Sequence, residues 1–143
     1  MTIKEKLSHL RGINIATLFD DILKENQKDI LDMNRDQMYD EGVMDVNTLK
    51  KEKYSPSTII AKRKAPFNKT DFVTLKWMGD FHKDLKLIIF KDTFVISSDN
   101  TIWGNYLETN KRFSNALGLT ESSKERLRST VKDEMIKKLR NVI

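Results

Sequence analysis

The chain has 143 residues with 38% hydrophobic and 33% charged side chains, a composition that fits one folded domain and is too apolar for a disordered chain. It contains no cysteine, which excludes both a disulfide framework and a thiolate metal site. The longest apolar run, Leu87 to Phe90, is far shorter than the roughly 20 residues of a membrane-spanning helix. We therefore expect a protein that needs no cofactor or metal and does not enter a membrane.

The net charge of +5 is unevenly distributed along the chain. Residues 1–50 carry seven basic and ten acidic side chains, residues 51–92 ten and five, and residues 93–143 nine and six. Such segregation fits head-to-tail contacts between identical subunits, or a protein that lies beside nucleic acid. An ordinary solvated surface with a modest bias of sign explains it equally well.

An amphipathic stripe predicts one long helix over residues 15–40, inside an N-terminal helical segment of residues 1–41. Thr17 serves as an N-cap, no proline or glycine interrupts the run, and Gly42 supplies the stop. About 25 helical residues would reach roughly 37 Å, which exceeds the width of a small domain. We expect this helix to pack on a sheet with one part and on another surface with the rest.

Residues 42–72 contain both prolines and hold no period of two or 3.6 residues, which predicts an extended basic arm. A short helix over residues 56–63 fits within the arm, with Ser55 as its N-cap and Pro56 at its first position. Loops of this length inside a small domain are usually functional rather than part of the packing.

The remainder of the chain, residues 73–143, begins with signals for a small antiparallel sheet of three or four strands. Apolar and polar residues alternate over residues 73–77, 85–89 and 94–96. The last two stretches are close enough to form a hairpin with its turn at Lys91-Asp92.

Thr120 follows a glycine and predicts the N-cap of a last helix, which should pack on the sheet. The complete pattern is that of one α+β domain with a long N-terminal helix, an extended arm, a small sheet and a C-terminal helix. The predicted core consists of Leu75, Leu87, Ile89, Phe94, Ile96, Leu127, Val131 and Leu139.

No catalytic motif occurs in the sequence, neither a phosphate-binding loop nor a nucleophile elbow. Asp80, His82 and Asp84 are the nearest approach to a metal-dependent nuclease site, and three such residues within five positions do not make a metal site by themselves. A surface or edge-strand His82, with Asp80 as a turn cap, explains the same pattern. We predict that the protein is not an enzyme.

Lys62, Arg63 and Lys64 form a basic string, with Phe67 and Lys69 close behind it. An aromatic residue among basic ones is typical of nucleic-acid-binding segments, so these four cations are candidates for contact with DNA phosphates. A solvated basic loop, or one that touches an acidic partner, is the alternative interpretation.

Several short motifs follow one another in a fixed order: Tyr54-Ser55-Pro56-x-Thr58-x-x-x-Lys62, Thr74-Leu75-x-x-x-Gly79-Asp80-Phe81, Phe94-x-Ile96-Ser97-Ser98, and Phe113 before Gly118-Leu119-Thr120. This order resembles the small neck and tail-completion, or virion-morphogenesis, proteins of tailed bacteriophages, most of all the versions from crAss-like and other Bacteroidetes phages. Met78 departs from the threonine that is usual in the family, and residues 103–112 lack the Tyr-Ala-x-x-x-x-Gly segment of many relatives.

The resemblance implies a structural protein of the virion neck or tail, assembled in the host cytoplasm. It implies a homo-oligomeric ring at the head-to-tail junction or upper tail, joined to portal, adaptor and other tail proteins. Tyr54, Pro56 and Phe67 of the arm would then reach an adjacent subunit, and the basic string would face acidic partners or DNA in the channel. The residues alone leave a small basic nucleic-acid-binding protein as the alternative.

Overall fold

The computed structural model describes residues 2–90, 93–99 and 115–142. Within these ranges the chain has an α+β fold of six helices and one two-stranded antiparallel sheet. None of the described helices combines the length and the apolar character needed to cross a bilayer. In chain order the elements are α1 (Ile3–Arg11), α2 (Ile15–Glu25), α3 (Gln27–Tyr39), α4 (Pro56–Lys62), α5 (Asp80–Lys83), β1 (Leu85–Phe90), β2 (Thr93–Ser98) and α6 (Glu121–Val142).

The helix predicted over residues 15–40 is two helices, α2 and α3, which meet at Asn26. Asn26 leaves the helical conformation, with φ −100° and ψ 12°. Its side-chain amide donates to the Ile22 carbonyl at 2.8 Å and to the Glu134 carboxylate at 3.1 Å. A side chain that bonds the backbone in this way competes with the helical ladder. Periodicity does not reveal the break, because both helices keep their apolar residues on the core side.

The sheet has two strands in the described part of the chain, whereas the sequence predicts three or four. β1 and β2 pair antiparallel without interruption, from Leu85 opposite Ser98 to Phe90 opposite Thr93, which confirms these two predicted strands. The turn predicted at Lys91-Asp92 lies outside the described residues.

Residues 73–77 are irregular rather than the predicted first strand. Leu75 has a positive φ of 56°, which a strand cannot accommodate. The carbonyl of Thr74 accepts a hydrogen bond from the His82 ring at 2.7 Å, so it is bonded to a side chain instead of a strand. Val73, Thr74 and Leu75 are all buried, so the alternation of apolar and polar residues does not mark a strand with one buried face.

The predicted C-terminal helix is confirmed, and the Thr120 hydroxyl caps it by accepting from the Ser123 N–H at 3.3 Å. Its packing differs from the expectation, because α6 lies chiefly against α2 and α1, while a groove separates it from β2. Of the predicted core, four residues are buried, and Leu87, Ile89 and Phe94 are partly buried against it. Leu139 is half-buried and lies outside the core cluster. The four buried residues are Leu75, Ile96, Leu127 and Val131.

Two fully buried amides on α3 fasten the segment that leads into α6. Asn34 donates to the Ala116 carbonyl and accepts from the Gly118 N–H, both at 3.0 Å. Gln37 donates to the Gly118 carbonyl at 3.0 Å and accepts from the Thr120 N–H at 3.1 Å. We call these two side chains with their backbone partners the polar clamp. Each buried amide is satisfied as donor and acceptor, which removes the desolvation cost of an unpaired group.

Candidate functional site: a cation–aromatic cluster

The predicted extended arm, residues 42–72, is instead folded back on its own chain. At its start the Val43 N–H donates to the Gln37 carbonyl at 2.8 Å, and at its end the Val73 N–H donates to the Glu52 carbonyl at the same distance. Each of these contacts is made once and belongs to no repeating element. A sequence pattern with a period therefore cannot reveal them.

The short helix predicted inside this segment is confirmed as α4. Pro56 occupies its first turn, where a missing N–H costs no helical hydrogen bond. The Ser55 hydroxyl caps the helix by accepting from the Thr58 N–H at 3.3 Å.

Three lysines and four aromatic rings meet beside α4 and the end of α3. The Lys76 ammonium nitrogen lies 4.2 Å from the centre of the Phe67 ring and 4.7 Å from that of Tyr39. The Lys69 nitrogen lies 4.5 Å from the centre of the Phe72 ring. A cation over a ring face is attracted by the ring quadrupole. We call this group the cation–aromatic cluster; its members are Tyr39, Tyr54, Phe67, Phe72, Lys62, Lys69 and Lys76.

Lys62 is completely buried, and no ion pair with a described carboxylate compensates its charge. Its ammonium donates to the Phe67 carbonyl and, at 2.9 Å, to the Lys69 carbonyl. Burial lowers the pKa of this lysine, because desolvation disfavours the charged form. The structure therefore corrects the expectation that Lys62 contacts DNA or a partner: this side chain fastens the turn that follows α4.

Two of the three residues predicted to reach a neighbouring subunit are engaged within the chain. The hydroxyl of half-buried Tyr54 accepts from the Thr74 N–H at 3.0 Å. Phe67 is half-buried against Gly79, where an added Cβ would lie 2.9 Å from the ring. Pro56 is exposed. A role of these residues at a subunit interface stays a prediction.

The remaining cations of the basic string lie at the surface. Arg63 and Lys64 follow α4 directly and are exposed. Lys69 is partly buried, and its ammonium donates to the Tyr39 carbonyl at 3.0 Å. Arg63 and Lys64 are therefore the two members of the predicted contact set with freely accessible side chains.

The prediction of a surface or edge-strand His82 is wrong, because this residue is buried on α5. Its Nε2 donates to the Thr74 carbonyl at 2.7 Å, and its Nδ1 has no hydrogen-bond partner among the described residues. Burial above all, together with the positive charges of Lys76, Arg35 and Lys62, lowers the pKa of this histidine to about 4. The ring is thus neutral at physiological pH.

The metal-dependent nuclease hypothesis gains no support from the described residues. Among them, no three histidine, aspartate or glutamate side chains are arranged to hold a metal ion. Asp80 is exposed at the start of α5, and Asp84 caps its end. His82 lies between these two aspartates in the sequence, and its ring donates to the Thr74 carbonyl.

An exposed apolar stripe on α1 is a feature that sequence reasoning missed. Ile3, Leu7 and Leu10 are 78%, 48% and 36% exposed, and α1 buries none of its residues. Their spacing places them on one face of the helix. The capping box of Thr2 and Glu5, present in the sequence and formed in the structure, is the signal that could have revealed this helix.

A stripe of acidic side chains runs along α3 and its C-cap residue Asp40. Four aspartates follow one another at intervals of three or four positions, and such residues form a single stripe on a helix. The stripe is exposed except at Asp32, which is half-buried and pairs with Lys28 and Arg35. Its members are Asp29, Asp32, Asp36 and Asp40.

No family model, curated protein or solved structure matches this chain. The resemblance to phage neck proteins accordingly rests on the short ordered motifs alone.

Proposed function

We propose that this chain is a non-enzymatic structural subunit of a tailed-phage virion, which forms a homo-oligomeric ring at the head-to-tail junction or upper tail and joins portal and adaptor proteins to the tail. The observation that carries the proposal is the exposed stripe of α1. A capped helix that buries none of its residues gains little by folding unless its apolar face is covered by another molecule. Ring subunits complete their burial in this way.

The distribution of charge supports the same arrangement. A ring built head to tail needs two different surfaces that complement each other. The aspartate stripe of α3 and the exposed cations Arg63 and Lys64 are of opposite sign and lie on separate elements. Contacts between such surfaces orient neighbouring subunits and exclude incorrect ones.

Native mass spectrometry of the purified chain, alone and mixed with candidate portal-complex proteins, tests this proposal. We expect closed rings of identical subunits, seen also by electron microscopy. Replacing Leu7 and Leu10 by serine should abolish the ring, whereas the control pair Ser8→Ala and His9→Ala, on the opposite face of α1, should leave it intact. A monomer under every condition, including with the portal complex, would contradict the proposal.

A small nucleic-acid-binding protein is the second candidate, favoured by the exposed side chains of Arg63 and Lys64. It requires salt-sensitive binding to duplex DNA of arbitrary sequence. Replacing both residues by alanine should reduce the slope of log K against log salt by about 2, because two phosphate contacts are lost. Lys24→Ala with Lys28→Ala is the matched control on the acidic side of the chain. Equal binding by both double variants would exclude these cations as the DNA contact.

A further inference from the structure

A groove of about 740 Å³ lies between β2 and α6. Side chains from α2, β2, α6 and the segment before α6 line it, and most of them are apolar. Its apolar floor contains Phe19, Leu23, Ile96, Leu119, Leu127 and Val131.

The edge of β2 forms one wall of this groove. Four consecutive residues, Thr93 to Ile96, line it. Successive side chains of a strand point to opposite faces, so consecutive residues share one surface only along the edge of the strand. Among the described residues β1 is the sole strand that pairs with β2, which leaves this edge without a described strand beside it.

The sequence of β2 does not protect its edge. Residues 93–98 contain no charged side chain and no proline, and the pairing with β1 has no bulge. Charged side chains, proline and bulges are among the devices by which natural proteins prevent a further strand from adding to an edge. A sheet of two strands is also marginally stable by itself and gains from a third.

The opposite wall, formed by α6, is positively charged. Lys124, Arg128 and Lys132 line the groove at intervals of four residues and therefore form one row. Arg128 is paired with Glu121 at 2.9 Å and with Glu125. No described carboxylate lies within ion-pair distance of Lys124 or Lys132, so both can receive acidic groups of a ligand.

We propose that the groove binds an extended peptide segment of a partner protein, with alternating apolar and acidic residues, which adds to the edge of β2 as a third strand. Main-chain hydrogen bonds to β2 supply affinity, and apolar side chains fill the floor. Acidic side chains face Lys124 and Lys132 and set the preference for this ligand. The site does not depend on the chain being a virion protein.

Titration of the isotopically labelled 143-residue chain with a synthetic peptide tests this site. The probe is acetyl-Asp-Val-Glu-Ile-Thr-Val-Asp-Ile-Glu-amide, followed by NMR. We expect saturable shifts at the residues that line the groove, above all 93–98 of β2 and 124–132 of α6. A peptide of the same composition with its apolar residues in one block should bind at least about tenfold more weakly, as should peptides N-methylated at alternate positions, because the strand hydrogen bonds are lost.

Charge-reversal variants test the helical wall. Lys124→Glu with Lys132→Glu should weaken peptide binding about tenfold, since two attractions become repulsions. The matched control is Lys137→Glu with Arg140→Glu, the same change on the same helix but outside the groove, and it should leave binding within about twofold. Thermal melting of each variant confirms that it is folded.

Three results would overturn the proposal: no binding of the probe to the wild-type chain, shifts located away from β2 and α6, or equal binding of the block and N-methylated peptides. Equal affinity of the groove and control variants would remove the assigned role of Lys124 and Lys132. These outcomes are independent of ring formation, because they are measured on the chain without portal proteins.

Discussion

The helices α2, α3 and α6 are held together differently from the segment of residues 53–79 that carries the cation–aromatic cluster. The helical region buries Ile22 and Ile30 completely, and its polar groups form the fully satisfied polar clamp. The segment adds Val73 and Leu75 to the core, but a buried ammonium bonded to two carbonyls and lysines over the faces of aromatic rings also hold it in place. Apolar burial is spread over many contacts, whereas the segment depends on a few individual groups.

This difference has a consequence for the response to change. In the helical region, the loss of one methyl group removes only a small part of a stabilisation that many contacts share. Removing one ammonium or one glycine from the segment, or the His82 ring that bonds the segment at Thr74, alters a contact that nothing else replaces. Four predictions test the comparison, from the largest expected effect to the smallest.

The helical region should show the largest loss on truncation. Ile30→Ala leaves a cavity at a fully buried position and should cost about 2–5 kcal/mol in urea unfolding. Leu87→Ala, at a partly buried position of the hairpin, should cost about 1–2 kcal/mol. Ile15→Ala, half exposed, is the control and should change stability by less than about 1 kcal/mol. A greater loss at Leu87 than at Ile30 would place the centre of the core in the hairpin instead.

His82, whose ring bonds the segment at Thr74, should make the free energy of unfolding depend on pH. The pKa of His82 is about 4 in the folded protein and 6.5 for an ordinary histidine, which represents the unfolded chain. Between pH 4 and pH 6.5 the unfolded chain therefore binds a proton that the folded chain does not. Stability therefore falls as pH falls from 6.5 to 4, by about 3 kcal/mol from this group. Urea unfolding across this range should show a shallower slope for His82→Gln. A slope for His82→Gln equal to that of the wild type would contradict the assignment.

Lys62→Met keeps most of the side-chain volume but removes the ammonium. The carbonyls of Phe67 and Lys69 lose their donor, which should cost about 1–3 kcal/mol and raise hydrogen exchange over residues 63–69. Lys64→Met, exposed, is the control and should fall within about 0.5 kcal/mol of the wild type. A Lys62→Met protein as stable as the wild type would show that desolvation of the ammonium offsets its hydrogen bonds.

Gly79→Ala should give the smallest of these losses. Gly79 has a φ of 93°, and a Cβ there would lie 2.9 Å from the Phe67 ring, so we expect a cost of about 1–2 kcal/mol and displacement of that ring. Gly12→Ala is the matched control, because Gly12 has a φ of −79° and its nearest contact to an added Cβ is 3.5 Å. Near-ultraviolet circular dichroism and urea unfolding measure both effects. Equal stability of the two variants would argue against the conformational requirement at Gly79.

The sequence predicts those elements whose signals are local. Thr120 and Ser55 cap α6 and α4 as expected, and the alternation of β1 and β2 is confirmed in register. The predicted cap Thr17 is wrong, because Asn14 caps α2 by accepting from the Thr17 N–H at 3.1 Å. The capping box of Thr2 and Glu5 that starts α1 is a local signal of the same kind. Local signals suffice here because a cap or an alternation acts within four residues of its own position.

The remaining features depend on partners that are distant in the sequence. The break at Asn26 is stabilised by Glu134, and the folded-back segment by Lys69 bonding Tyr39 thirty residues earlier. Lys62 is buried because its segment folds so that the carbonyls of Phe67 and Lys69 accept from its ammonium. From the sequence alone it looks like an ordinary surface lysine. For the candidate site, the sequence therefore identifies the residue types but not which of them face inward.

The polar clamp also constrains the order in which the chain can fold. Its bonds join Asn34 and Gln37 to residues 116–120, across 81 to 84 positions of sequence. During synthesis, α3 emerges long before its partners exist, and both amides must remain in water until the last quarter of the chain is made. Long-range contacts of this kind slow folding, because the intervening loop must close first. A chain truncated before residue 115 would therefore keep Asn34 and Gln37 without these partners, and we expect it to be less stable than the 143-residue chain.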